Sequence, residues 1–370
     1  MKRSFAAALA VIGVTIAGVT IATVAQAQGP GQAPAPSPRP LVGETMPVGG
    51  DMAKTIHFYH DLLGLECRSG DPRVRIAWYD TRPFLEDMYG AVGGPLRNIT
   101  VLTPGSPFLV AGQEMAIEPI EWKNAKGKPL NPKPQDPGAT RMIFHVTDID
   151  KLTAFLKQGG AKAVTAGGAP VKVAGPAGMS RSVVFDDGNG FFVELVQPDK
   201  LPEQLGGPAS NAPRAFVYGL DTTVTVADLD KSAQFFREVL GLNVNADPSF
   251  HADPKRLQAL GMKGAQYREA TVAWPDRTPQ LNLVQFKGIE QKTLTPLVAE
   301  PNATIMRIFV TDMAPVLAKV KANQEAKIMN VSGAPVTGNG RPESPQWLMV
   351  RLPGGSTYLQ IIGLPSGRIG

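Results

Sequence analysis

The stretch DMAKTIHFYHDLLGLE, Asp51 to Glu66, returns as DLDKSAQFFREVLGLN, Asp228 to Asn243, 177 residues later. In the first copy Met52, Ile56, Tyr59 and Leu63 fall at steps of 4, 3 and 4, which is one apolar face of a helix. Leu229, Ala233, Phe236 and Leu240 repeat the same steps in the second. Gly64 and Gly241 then stand where a helix end calls for positive φ. Each helix follows a β-rich segment, as in FVYGLDTTVTV, Phe216 to Val226.

The echo extends outward. GAVGGPLRNITVLTP (Gly90 to Pro104) lines up with GMKGAQYREATVAWP (Gly261 to Pro275), and AIEPIEW (Ala116 to Trp122) with QLNLVQF (Gln280 to Phe286). A second kind of unit also occurs twice. RMIFHVTDIDKLTAFLKQGGAK begins at Arg141 and IMRIFVTDMAPVLAKVKANQEAK at Ile305, each a strand, then VTD, then an amphipathic helix. Their tails, SVVFDDGNGFFVELVQP (Ser182 to Pro198) and WLMVRLPGGSTYLQIIGLP (Trp347 to Pro365), read as hairpins turning at DGNG and PGG. Repetition on this scale predicts an α+β chain of four βαβββ units, A, B, A′ and B′. The expected domains are 41–198 and 215–370, joined by a linker over 199–214.

The chain has 370 residues, 43% of them hydrophobic, and a formal charge of +5. That charge is too mild, and too free of basic stripes with interleaved aromatics, to imply nucleic acid. MKR, the uncharged apolar run from Phe5 to Val24, and AQA at Ala25 to Ala27 read as a secretory signal over 1–27. The expected location is periplasmic, with no membrane insertion once the signal is cleaved. An uncleaved N-terminal membrane anchor is the alternative, since the run is long enough to span a bilayer. QGPGQAPAPSPRP, residues 28–40, holds five prolines and no apolar period, and is expected to be a disordered tether. The single cysteine, Cys67, excludes an intramolecular disulfide.

The order D…FY/FF…LGL, VTD strand–helix, then F.DDGNGFFVEL resembles the vicinal oxygen chelate superfamily, which includes glyoxalase I, bleomycin-resistance proteins and extradiol dioxygenases. The resemblance runs from about Leu41 to Leu364. It implies curled mixed sheets around clefts that hold a divalent metal or a small organic ligand. Enzymes of that family carry metal ligands on the first and last strands of each unit, with His or Gln on the first and Glu on the last. Carried over, the first-strand positions are Glu44, Arg141, Asp221 and Ile305. The insertion at Gly49–Gly50 allows the first of these to shift by one. The last-strand positions are Glu118, Glu194, Asn282 and Gln360.

None of these is histidine, and arginine has no lone pair for a metal. The expected site is therefore a small-molecule cleft in the first domain built from Glu44, Glu118, Arg141, His145 and Glu194. Asp221, Asn282 and Gln360 mark a second, less polar cleft. Strand alternation puts Arg141 and His145 on one face. Glu44, Glu118, Arg141 and Glu194 are expected to share one cavity. No cofactor is expected. Should a divalent metal bind, Glu44, Glu118 and Glu194 are its ligands, and the alternative function is then a metal-dependent lyase, isomerase or dioxygenase with an oxygen-rich site. Trp122, Trp274 and Trp347 fall at strand ends, as cleft walls or as core. His57, His60 and His251 read as surface residues. No oligomeric state follows from the sequence.

Overall fold

The computed structural model describes residues 41–67, 77–90, 94–102, 116–175, 178–203, 205, 211–273, 281–338, 341, 344–355 and 357–364. The expected signal and tether lie outside them, as does Trp274, and of Glu44 only the backbone is described.

Four quarters follow along the chain. The first has β1 (Leu41–Pro47), α1 (Met52–Ile56) continued by a π-helical turn (His57–Leu62), β2 (Glu66–Cys67), α2 (Pro83–Met88), β3 (Leu96–Asn98), β4 (Val101–Leu102), β5 (Ala116–Ile117) and β6 (Ile120–Trp122). The second has β7 (Thr140–Val146), α3 (Ile149–Gln158), β8 (Lys162–Ala163), β9 (Val171–Gly175), β10 (Gly178–Asp186) and β11 (Phe192–Pro198). The third has β12 (Val217–Thr225), α4 (Leu229–Glu238), β13 (Asn243–Ala246), α5 (Pro254–Ala259), β14 (Gln266–Ala273) and β15 (Leu281–Lys287). The fourth has β16 (Thr304–Val310), α6 (Met313–Ala322), β17 (Lys327–Ile328), β18 (Val336–Thr337), β19 (Gln346–Arg351) and β20 (Thr357–Gly363).

The main helices start where their caps say they should. Asp51, Asp148, Asp228 and Asp312 each accept a backbone N–H from the first turn. The apolar faces read from the repeat are buried: Met52, Ile56, Tyr59 and Leu63 in one copy, Leu229, Ala233, Phe236 and Leu240 in the other. Gly64 and Gly241 have φ of 65° and 69°. One difference separates the copies. The first relaxes into a π-turn, with Leu63 N–H donating to the Phe58 carbonyl, whereas the second keeps α spacing.

Sheet pairing crosses between the two halves of the chain. One sheet runs β17-β19-β20-β16-β1-β5-β4-β2, with β18 on β19. A second runs β13-β14-β15-β12-β7-β11-β10-β8, with β9 on β10, and β3 pairs with β6 in a two-stranded sheet of its own. The first quarter thus shares a sheet with the fourth, and the second with the third. The antiparallel seams are β1–β16 (Met46 opposite Ile305) and β7–β12 (Arg141 opposite Thr223). The helix-side cores follow the other division. One collects residues from Met52 to Leu220, the next from Val224 to Ile361. A strand has two edges and two faces, so its hydrogen bonds and its packing can join different parts of the chain.

Where the sheets approach one another, threonines bond their own repeat counterparts. Thr45 Oγ1 lies 2.8 Å from Thr222 Oγ1, 177 residues on, and Thr140 Oγ1 lies 2.7 Å from Thr304 Oγ1, 164 residues on. All four are buried, and each hydroxyl supplies the partner the other needs.

Candidate functional site

Alternation sends every second residue of each strand to the sheet face away from the main helices. In the β1/β16 sheet that inner face carries Met46, Ile305, Arg307, Tyr358 and Gln360, and Glu118 with Ile120 and Trp122 of the adjoining β3–β6 pair lies beside it. The Arg307 guanidinium lies 3.0 Å from Glu118 Oε2, and its Nε donates to Gln360 Oε1 at 2.7 Å. Asn98 Nδ2 donates to Glu118 Oε1, and Tyr79 donates to Asn98 Oδ1 at 2.7 Å. Burial, then the neighbouring Glu118 charge, pushes the Tyr79 hydroxyl up to about 12. Aromatic rings surround this polar floor: Tyr89 packs on Trp122 with centroids 5.0 Å apart, and Phe84 on Trp347 at 5.7 Å. Arg97 stacks on Trp78 at 4.5 Å. Trp122 Nε1 is buried with no hydrogen-bond partner among the described residues.

The inner face of the β7/β12 sheet is drier. Glu194, fully buried, meets Arg141 Nε at 2.6 Å, an Arg256 terminal nitrogen at 2.5 Å and Ser182 Oγ at 2.5 Å. Burial pushes the Glu194 carboxyl up, but Arg256, Arg141 and the two hydrogen bonds outweigh it and hold it at about 2. Burial lowers Arg141, with Glu194 opposing that shift. Farther along the same face His145 Nε2 lies 2.7 Å from Asp221 Oδ2, and Thr271 donates to Asn282 Oδ1 at 3.0 Å.

The expected residues are therefore re-sorted. Glu118 and Gln360, assigned to different clefts from sequence, are bridged by Arg307. Arg141, His145 and Glu194 share a face with Asp221 and Asn282. Glu118 and Glu194 have different partners, Arg307 for the one and Arg141 with Arg256 for the other, and the Glu44 side chain lies outside the described residues. The physical reason for the different partners is the cross-pairing of the seams. Sequence reading missed Arg307 and Arg256. Arg307 was within reach, because it shares the face of Ile305 two residues on. Arg256 stands on α5, whose start was signalled by Asp253 and Pro254: Asp253 accepts from Lys255 N–H and proline occupies the first turn. His57 and His60 both contact Asp61, and His251 contacts Asp247.

Among the described residues no three His, Cys, Asp or Glu side chains converge as metal ligands. The carboxylates at the two last-strand positions already face guanidinium groups. A divalent cation at either would sit beside a fixed positive charge without imidazole or thiolate to hold it. The described donor set does not fit the divalent metal that the resemblance implies.

The model of the bleomycin resistance protein-like N-terminal family matches residues 220–251, which take in most of β12, α4 and β13. No curated protein matches the chain in sequence. Among solved structures, a point mutant of glyoxalase I from Zea mays aligns with TM-score 0.53 and 16% identity over 88% of this chain and 92% of that one. Another structure of Zea mays glyoxalase I aligns with TM-score 0.51 and 15% identity, over 88% and 92%. At such identity the likeness speaks for the fold, and it agrees with the mixed sheets and the sequence order of the elements: this chain has the fold of the vicinal oxygen chelate superfamily.

Proposed function

We propose that the protein is an exported tandem of four βαβββ units that binds a small organic molecule, without a metal, on the inner face of the β1/β16 sheet. The observation that carries this reading is Arg307. Its guanidinium bridges Glu118 and Gln360, two of the carried-over last-strand positions, and so supplies the positive charge that a cation would otherwise bring. The pair is partly accessible, at 18% for Arg307 and 14% for Glu118, whereas Arg141 and Glu194 of the other sheet are sealed. Aromatic rings beside a few fixed polar groups are the usual equipment of a small-molecule cleft. The unpartnered indole N–H of Trp122 adds a donor for a ligand acceptor, since a buried donor left unpaired costs about 1–3 kcal/mol. The N-terminal 27 residues are read as the export signal and the destination as the periplasm.

The test is a ligand screen on the mature protein by quenching of tryptophan fluorescence, with metal content measured in parallel. Saturable binding by protein free of bound metal, weakened at least tenfold in Arg307→Ala, is the expected result. Stoichiometric Mn²⁺, Zn²⁺ or Ni²⁺ required for binding or turnover would replace this reading with a metal-dependent lyase, isomerase or dioxygenase.

A further inference from the structure

On the helix side of the fold, away from both inner faces, a cavity of about 560 Å³ opens between the first helix and the end of α3. Its apolar lining includes Phe58, Leu62 and Ala161, and its rim includes Lys54, His57 and Lys162. That volume is within the range of pockets that hold small ligands.

Three local features make the cavity. The first helix opens into its π-turn over His57–Leu62, and π-turns are rare and concentrate at functional sites. The equivalent helix α4 is α-helical throughout, so the deviation belongs to this copy and not to the repeat. Gly159 lets the end of α3 come close, because a Cβ there would stand 2.1 Å from Leu62 Cδ2. The tight turn after β10 closes the far side, with Asp187 buried behind it, accepting from the N–H groups of Asn189 and Phe191.

Charge selects the occupant. Lys54 and Lys162 are exposed and make no ion pair with any described residue. Asp186 and Asp187 also line the cavity, Asp186 accepting the Gly188 N–H at 2.7 Å and Asp187 buried in the turn, while Asp61 faces His57 and His60, so the two ammonium groups outnumber the one lining carboxylate that is not buried. An apolar floor under two free ammonium groups suits a molecule with a flat or acyl body and one anionic group. We infer that this cavity is a second ligand site, separate from the inner faces, that takes a small amphipathic monoanion such as an aromatic or acyl carboxylate or sulfonate.

The fluorescent sulfonate 1-anilinonaphthalene-8-sulfonate and its neutral analogue N-phenyl-1-naphthylamine are suitable probes for the folded, full-length mature protein. One saturable sulfonate site is expected. Ala53→Trp, at an exposed helix position on the cavity wall, should weaken binding of both probes at least tenfold. Lys54→Ala with Lys162→Ala should weaken the sulfonate about tenfold, as expected for two exposed ion pairs, and leave the neutral probe unchanged. Arg307→Ala should affect neither. Absence of saturable binding overturns the inference. So does binding that survives Ala53→Trp, or that Arg307→Ala abolishes, since the probe would then lie elsewhere.

Discussion

Asp187 is a carboxyl group under Tyr59, whose hydroxyl lies 3.4 Å from its Oδ2. Burial, partly offset by the N–H groups of Asn189 and Phe191, pushes its pKa up to about 7. An acid whose pKa is raised on folding stabilises the fold only while protonated. The contribution is complete below its unfolded value, near 3.8, and is lost as pH rises through about 7. Glu194 runs the other way: depressed to about 2, it adds stability above about 4.5 that is lost as pH falls toward 2. Between pH 5 and pH 8 only Asp187 of this pair titrates. Denaturant midpoints should therefore fall over that interval, with about 2–3 kcal/mol from this group. Asp187→Asn keeps an oxygen for both N–H groups and removes the charge, so its profile should lose this share of the fall. An unchanged slope in Asp187→Asn would place the titration on another residue.

At the scale of elements, the close approach of Gly159 and Leu62 sets two opposed effects. Alanine at 159 narrows the unfolded ensemble and favours folding by about 0.4–1 kcal/mol. Its Cβ also collides with Leu62, and overpacking costs about 1–3 kcal/mol. The collision is with the tip of a partly exposed side chain, so Gly159→Ala alone should destabilise by only about 1 kcal/mol. In a Leu62→Ala background the same change should become neutral or stabilising. A double-mutant cycle by thermal denaturation checks this, and equal effects in both backgrounds would deny the contact. These helices also show what the sequence could convey. Met52, Ile56, Tyr59 and Leu63 announce their face by spacing alone, and Gly64 announces the stop. Strand neighbours leave no such mark. The alternation of Arg141, Ile143 and His145 is the same whether β7 pairs with β12 or with β1. Local pattern therefore fixed which face each residue occupies, but not which sheet, and the site residues were distributed accordingly. The π-turn had no signal in spacing, because DMAKTIHFYHDLLGLE and its echo share their apolar steps.

For the whole molecule, the second half of the chain is self-sufficient in its helix-side core, the first borrows only Phe216, Val217 and Leu220 from beyond the linker, and both are incomplete in their sheets. β1 and β7 of the first half find their seam partners, β16 and β12, in the second. Cut after residue 211, the first half would expose both strands as long open edges, which promote association. A second copy of the same half can close them. By the repeat, β7 corresponds to β16 and β1 to β12, so β1 of each copy could pair with β7 of the other. The result would be a two-fold dimer with an isologous interface. Thr45 and Thr140 already bond their counterparts Thr222 and Thr304, and in such a dimer each would meet its own copy. A fragment spanning 28–211 should therefore sediment as a dimer of folded chains. Thr45→Arg should drive it toward monomer or aggregate, because it places an unpaired charge on the axis. A fragment that is monomeric with full native β content would show that each half can close its own sheet, which the cross-paired seams of the intact chain argue against.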